Sequence, residues 1–220
     1  MDSRFPATRS LSEFEAPSDA PIFVMGEGED PWGDYGRILV HGMTGRLARR
    51  GGASGELQLE RTGPFVPPIT FPGVGDVLVT AEMKQAMEFA GFRGLKFRSV
   101  CKKRIVAVPW RQWDRRADAP QLLPEDGEPE AYILAGRHDP RIAEAIGEIW
   151  EVVRPIEDEL VCNQVGTRSE DAGLRDLKHP WNGADLFRVS YNGYDYVSAR
   201  ARRWFEAYFS EWTSFREVPR

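Results

Sequence analysis

The side chains best suited to nucleophilic, acid–base or metal chemistry in this chain are three histidines, His41, His138 and His179, and two cysteines, Cys101 and Cys162. Each chemistry needs partners at short range. A nucleophile needs a base within hydrogen-bond reach, and zinc needs four nitrogen or sulfur ligands, usually supplied as close pairs. The spacing offers neither: no histidine stands four residues from another, and the cysteines form no CxxC pair. His138-Asp139-Pro140 has the form of a helix entrance. A triad assembled from distant residues stays open at this level, but nothing local supports one. The expectation is therefore no catalytic residue, no metal ligand and no cofactor.

Glycine-rich stretches are the next candidates. GEGED at Gly26–Asp30 lacks the Gly-Lys-Ser/Thr ending of a phosphate loop and the distal glutamate of a calcium loop, and reads as an acidic turn. GMTGR and GFRGL are isolated glycine pairs without the strand-glycine-helix context of a dinucleotide site. The stretch Lys102–Arg116, KKRIVAVPWRQWDRR, interleaves cations with Trp110 and Trp113. It fits either a single-stranded nucleic-acid surface or a strand with a solvated basic face and an aromatic anchor. The net charge of -5 favours the second, so nucleic acid is not the expected partner. Two acidic groups, Glu125, Asp126, Glu128 and Glu130, then Glu157, Asp158 and Glu159, are either solvated loops or electrostatic bait for a basic protein. Arg200, Arg202 and Arg203 fall near a helix N-terminus, where cations oppose the dipole; they pair with carboxylates or with a partner.

These groups must be positioned by ordinary elements. The 220 residues, 41% hydrophobic and 29% charged, have the composition of an ordinary soluble protein. No signal-like stretch opens the chain and no run approaches a membrane span, so a cytoplasmic location without membrane contact is expected. Residues 1–21 are polar and proline-containing and read as a flexible N-terminal arm, with 22–220 as a single domain. Ile22–Met25, Arg37–Val40 and Glu56–Glu60 read as strands, and Thr62–Gly75 as an extended connection. LKFRSV and RIVAVPW read as strands joined by a turn at Lys102–Arg104. Asp139, Pro140 and Ile142, Ile146, Ile149 and Val153 predict a helix running to Pro155. PEDGEPE at Pro124–Glu130 reads as an acidic loop.

The clearest feature is a repeat. Shifting the chain by 118 residues superposes Leu78–Val100 on Tyr196–Val218 with six identities: Val79/Val197, Ala81/Ala199, Glu88/Glu206, Phe97/Phe215, Arg98/Arg216 and Val100/Val218. Six identities alone can arise from two common amphipathic patterns. Here Thr80 also falls on Ser198 as a hydroxyl N-cap, and the apolar face Met83, Ala86, Met87, Ala90 falls on Ala201, Trp204, Phe205, Tyr208. Gly91 stands where a glycine ends the first helix. The expected fold is α+β, a mixed β-sheet flanked by helices, with related strand-helix-strand units at about 77–100 and 195–218.

GDVLVTAEMKQAMEFAGFRGLKFRSV, with ADLFRV, YVSARARRWFEAYF and SFREVP further on, resembles bacterial immunity proteins of polymorphic toxin systems, notably the double-CXXCG motif group and related families. Cys162-Asn163-Gln164-Val165-Gly166 is similar to the second cysteine motif with valine in place of its second cysteine, and the first motif has no counterpart before Trp32. The resemblance implies a metal-free branch, since one thiolate cannot make a structural zinc site. It further implies a non-enzymatic protein that neutralises a cognate toxin or effector by stoichiometric binding, and it is compatible with a homodimer. The partner-binding residues expected are Glu125, Asp126, Glu128, Glu130, Glu157, Asp158, Glu159, Trp110 and Trp113, with Trp32, Trp181 and Trp212 as further aromatic anchors.

Overall fold

The computed structural model describes residues 9–15, 20–29, 32–46, 55–112, 114, 116–118, 127–157, 183–189 and 193–218. Its class is α+β, with strands in three sheets and helices between them. Where the sequence reads as one domain, the chain folds into two compact units, Met1–Gly28 with Gln85–Lys96 and Val153–Arg220, and Glu29–Lys84 with Phe97–Val152.

The first unit is built on a five-stranded sheet. Its strands are β1 (Ile22–Glu27), β9 (Ile156–Glu157), β10 (Leu186–Val189), β11 (Asp195–Ser198) and β12 (Thr213–Glu217), in the order β12-β1-β11-β10-β9. Only β9 and β10 pair in parallel; β1 runs antiparallel to both of its neighbours. Helix α5 (Ala199–Phe209) packs on this sheet through Ala201, Trp204, Phe205 and Phe209, the spacing of one helical face. Within the stretch read as a flexible arm, residues 9–15 are docked on α5. A 3₁₀ turn, Leu11–Phe14, buries Leu11; Trp204 Nε1 donates to Arg9 O at 3.1 Å, and Arg9 N donates to Tyr208 Oη at 3.1 Å. One apolar side chain and these tertiary hydrogen bonds order a segment whose composition is that of a tail.

The second unit holds two sheets. One, β2 (Met43–Arg46), β3 (Leu57–Gly63) and β7 (Cys101–Ala107), has the order β2-β3-β7, with β3 and β7 parallel. The other has β4 (Ile69–Gly73), β5 (Asp76–Thr80), β6 (Lys96–Ser99) and β8 (Ile149–Val153) in the order β4-β5-β8-β6. The helices are α1 (Gly33–His41), α3 (Pro129–Ala135) and α4 (Pro140–Ala145); α2 (Ala81–Ala90) follows β5.

Four local expectations are corrected here. Arg37–Val40 lies in α1, not in a strand: the branched residues favour a strand, but Tyr35, Ile38 and Leu39 are buried at helical spacing and α1 packs on β3, β4 and α3. The helix entered at Asp139 is real, with Asp139 Oδ1 accepting from Arg141 N and Ile142 N, but it ends at Ala145 and Ile149–Val153 is strand β8. A positive-φ Gly147 separates the two, and β-branched residues take over after it. Lys102–Arg104 is not a turn. The chain passes from β6 through Val100, whose N–H donates to Ile149 O at 3.2 Å, directly into β7 of the other sheet. Finally, the acidic loop ends at Glu128, because Pro129 opens α3 and carries Glu130 into the helix.

Both predicted strand-helix-strand units are present, and the likeness goes deeper than the sequence showed. Each is a hairpin, a helix and a third strand, with a strand from elsewhere inserted: β4-β5-β8-β6 in one, β10-β11-β1-β12 in the other. Val79 pairs with Trp150 of β8, and its equivalent Val197 pairs with Phe23 of β1. Lys84 Nζ then lies 4.8 Å from the Trp150 ring centroid, and its equivalent Arg202 lies 4.3 Å from that of Phe23. Thr80 Oγ1 accepts from Met83 N at 3.2 Å, as Ser198 Oγ does from Ala201 N. Gly91 N donates to Glu88 O and Phe92 N to Met87 O, the paired bonds of a glycine-terminated helix end.

Candidate functional site

The two described histidines each hold a backbone N–H. His41 is buried, with Nδ1 accepting from Phe71 N at 3.3 Å, and His138 Nδ1 accepts from Ile105 N at 3.1 Å. Cys101 is a free, half-buried thiol at the start of β7. Among the described residues, no three His, Cys, Asp or Glu side chains are grouped to hold a metal ion, and no helix is long and apolar enough to cross a membrane.

The basic run in β7 faces helix ends. Lys102 Nζ donates to Ala143 O and, at 2.9 Å, to Gly147 O, around the C-terminus of α4. Arg104 Nη1 donates to Leu134 O and Ile133 O at the end of α3. Cations at these positions oppose the negative end of each helix. Glu60 takes the remaining charge, with Lys103 Nζ at 2.6 Å and Arg104 Nε at 3.5 Å. Trp110 stacks on Trp32, centroids 6.0 Å apart and planes 21° from parallel, and Trp32 Nε1 donates to Ala117 O at 3.3 Å. Trp113 lies outside the described residues.

Both glycine-pair motifs serve close packing. At Gly42, with φ at +79°, a Cβ would stand 2.6 Å from Arg61 Cβ and 2.7 Å from Glu60 O, so glycine permits the end of α1 to meet β3. There the side chains of β3 satisfy the last carbonyls of α1: Thr62 Oγ1 donates to Leu39 O at 2.6 Å and Arg61 Nη2 to Val40 O at 2.9 Å. Arg61 is fully buried and also donates to Thr62 O and Phe65 O; among the described residues no carboxylate faces it, and burial pushes its guanidinium down to about 9. At Gly94, with φ at +80°, a Cβ would come within 2.9 Å of Ala184 Cβ. This lets Phe92 reach Trp204 and Phe205, with centroids 5.0 and 5.5 Å away.

Arg200 pairs inside its own unit. Its Nε and Nη2 lie 2.6 and 2.5 Å from the two oxygens of Asp185, a fully buried carboxylate that also accepts from Ser198 Oγ and Arg93 N, each at 2.8 Å. Arg202 pairs with Glu206, and Arg203 donates to Glu15 O. A second buried pair, Arg154 Nε and Asp195 Oδ1, lies 2.7 Å apart, off the hydrogen-bonding direction.

Of the expected partner-binding residues, Glu128 is exposed and Glu130 half-buried, bracketing the first turn of α3, where Leu134, four residues after Glu130, is 49% exposed. Glu157 lies in β9, its side chain beyond what is described. Glu125, Asp126, Asp158 and Glu159 fall outside the described residues, as do Cys162, His179 and Trp181. Trp212 is not an anchor: it is buried, and its carbonyl accepts from Gly28 N at 3.2 Å.

Among the described residues, the exposed large apolar side chains, none singled out by the sequence, are Leu134, Val74 at 93% and, on α2, Phe89 at 72%. Its position between the buried Met87 and Ala90 was readable from helical spacing, which turns residue 89 away from the buried face. No protein-family model, curated protein or solved structure matches the chain.

Proposed function

We propose that this chain is an immunity protein that acts in the bacterial cytoplasm and neutralises a cognate toxin or effector by direct, stoichiometric contact, without a catalytic step. The resemblance carried by the repeat supports this reading. The observation that favours a protein contact is Phe89. Its equivalent in the second copy is Ala207, also exposed, so the repeat itself requires no ring at this position. A large exposed ring beside Gln85 and Glu88 suits an apolar anchor with a polar rim, and the net charge of -5 suits a basic partner.

Co-expression with the product of the neighbouring reading frame tests the proposal. Growth of the host is rescued and the two chains co-purify in equimolar amounts. Phe89→Ala weakens the complex by about 30-fold, the effect of an interface hot spot of about 2 kcal/mol, with no loss of thermal stability. Failure of the wild-type chain to protect at equal expression would sink the toxin reading; a complex indifferent to Phe89→Ala would remove this surface from it.

A further inference from the structure

Residues 137–141 lie along the open edge of β7, the outer strand of its sheet, held there by the Ile105 N to His138 Nδ1 bond and by Asp139 N donating to Ile105 O at 2.8 Å. A cleft of about 510 Å³ opens at this junction, with Val106, Ala107 and Pro140 as apolar walls and Arg137, His138, Asp139 and Arg141 as its polar lining. Its volume is in the range of small-molecule sites.

The polar lining is strongly biased toward donors. Arg137 and Arg141 are exposed and have no ion pair or side-chain hydrogen bond among the described residues, unlike Lys102, Lys103 and Arg104 on the adjoining strand. His138 accepts a backbone N–H on Nδ1, so the proton of its neutral ring sits on Nε2, a third donor. The one carboxylate, Asp139, has Oδ1 engaged by Arg141 N and Ile142 N. The same two bonds occupy the backbone donors of the first turn of α4, leaving the two guanidinium groups and the imidazole to meet a ligand.

We propose that this cleft binds the phosphate monoester of a small organic molecule. A phosphate monoester carries a charge of about -1.5 to -2 near neutral pH and three acceptor oxygens, a match for two guanidinium groups and one N–H. A carboxylate group presents only two acceptor oxygens to three donor groups, and a dicarboxylate such as succinate holds its second charge on a separate group. The apolar walls suit the organic part. This site is independent of the toxin-binding reading.

Calorimetry and amide NMR on the full chain test it, with adenosine 5′-monophosphate, adenosine, inorganic phosphate and succinate as probes at an ionic strength of about 0.15 M. The monophosphate binds saturably at one site and shifts the amides of Ala107 and His138, and the other three probes bind at least about tenfold more weakly. Arg137→Gln and Arg141→Gln each weaken the monophosphate by about tenfold or more, as expected for a lost charge-assisted bond, while Arg111→Gln, an exposed arginine outside the cleft, leaves it unchanged. Absence of saturable binding, succinate or inorganic phosphate binding as tightly as the monoester, or equal losses from all three arginine variants would overturn the assignment.

Discussion

Replacing Asp185 with asparagine keeps the size of the side chain and removes its charge from beneath the bidentate guanidinium of Arg200. The carboxylate is fully buried and takes four bonds, two from Arg200 at 2.6 and 2.5 Å and one each from Ser198 Oγ and Arg93 N at 2.8 Å. An amide retains one acceptor oxygen and turns an NH₂ group toward the remaining donors. Removing one partner of a buried pair costs about 3–5 kcal/mol. The Arg200 side chain is 16% exposed, so water recovers part of its solvation and places the loss near the lower end, about 3 kcal/mol. At about 2–4 °C per kcal/mol for a chain of this length, Tm falls by about 6–12 °C. Urea unfolding followed by tryptophan fluorescence reads this unit through the buried Trp204 and Trp212. A double-mutant cycle with Arg200→Gln isolates the pair, with an expected coupling above about 1 kcal/mol. A loss from Asp185→Asn below about 1 kcal/mol, or a cycle that closes to zero, would refute the view that this network holds β10, β11, α5 and the loop after α2 together.

Arg61→Met costs about 2–4 kcal/mol at neutral pH, because three carbonyls lose their donor while the cost of burying a charge is relieved. Burial holds the folded guanidinium at about 9, well below its ordinary value in the unfolded chain. The unfolded chain therefore binds more protons between those values, and the contribution of Arg61 grows as pH rises through that window. The stability difference between wild type and Arg61→Met widens by about 1.4 kcal/mol from about pH 8 to about pH 10, and an unchanged difference in urea titrations contradicts the shift. Thr80→Ala loses about 1 kcal/mol with its helix cap, and Ser198→Ala loses more because its hydroxyl also donates to Asp185; equal losses in thermal melts would argue against that second bond.

Much of the local structure was legible because it rests on short-range rules. The caps at Thr80, Ser198 and Asp139, the glycine end at Gly91 and the apolar faces of α2 and α5 are each set by residues within one or two helical turns. Where local signals conflicted, tertiary packing decided. The residues of Ile149–Val153 fit a helical stripe as well as a strand, and pairing between β5 and β6 resolves them. Lys102–Arg104 reads as a turn by polarity, yet lies in a strand because the ends of α3 and α4 supply carbonyls for two of its cations. Of the expected contact residues, Glu128 stands at the N-cap of α3, Glu130 lies in its first turn and Trp110 is tied to Trp32. Phe89 lies off the apolar face Met83, Ala86, Met87 and Ala90, so helical spacing turns it outward, and only the fold shows that it stays 72% exposed.

By itself the sequence determined the α+β class and the duplicated strand-helix-strand pattern, since periodicity, caps and an offset of 118 residues are properties of the chain alone. It did not contain the inserted strands. That β8 lies between β5 and β6, and β1 between β11 and β12, follows from pairings with distant segments, and backbone hydrogen bonds leave no composition signal to reveal their partner. The same holds for charge. In the sequence Arg200 is a cation at an unfavourable helix end and Arg141 carries no signal beyond its place after the helix entrance His138-Asp139-Pro140; only the fold gives Asp185 to Arg200 and leaves Arg141 at the lip of an open cleft.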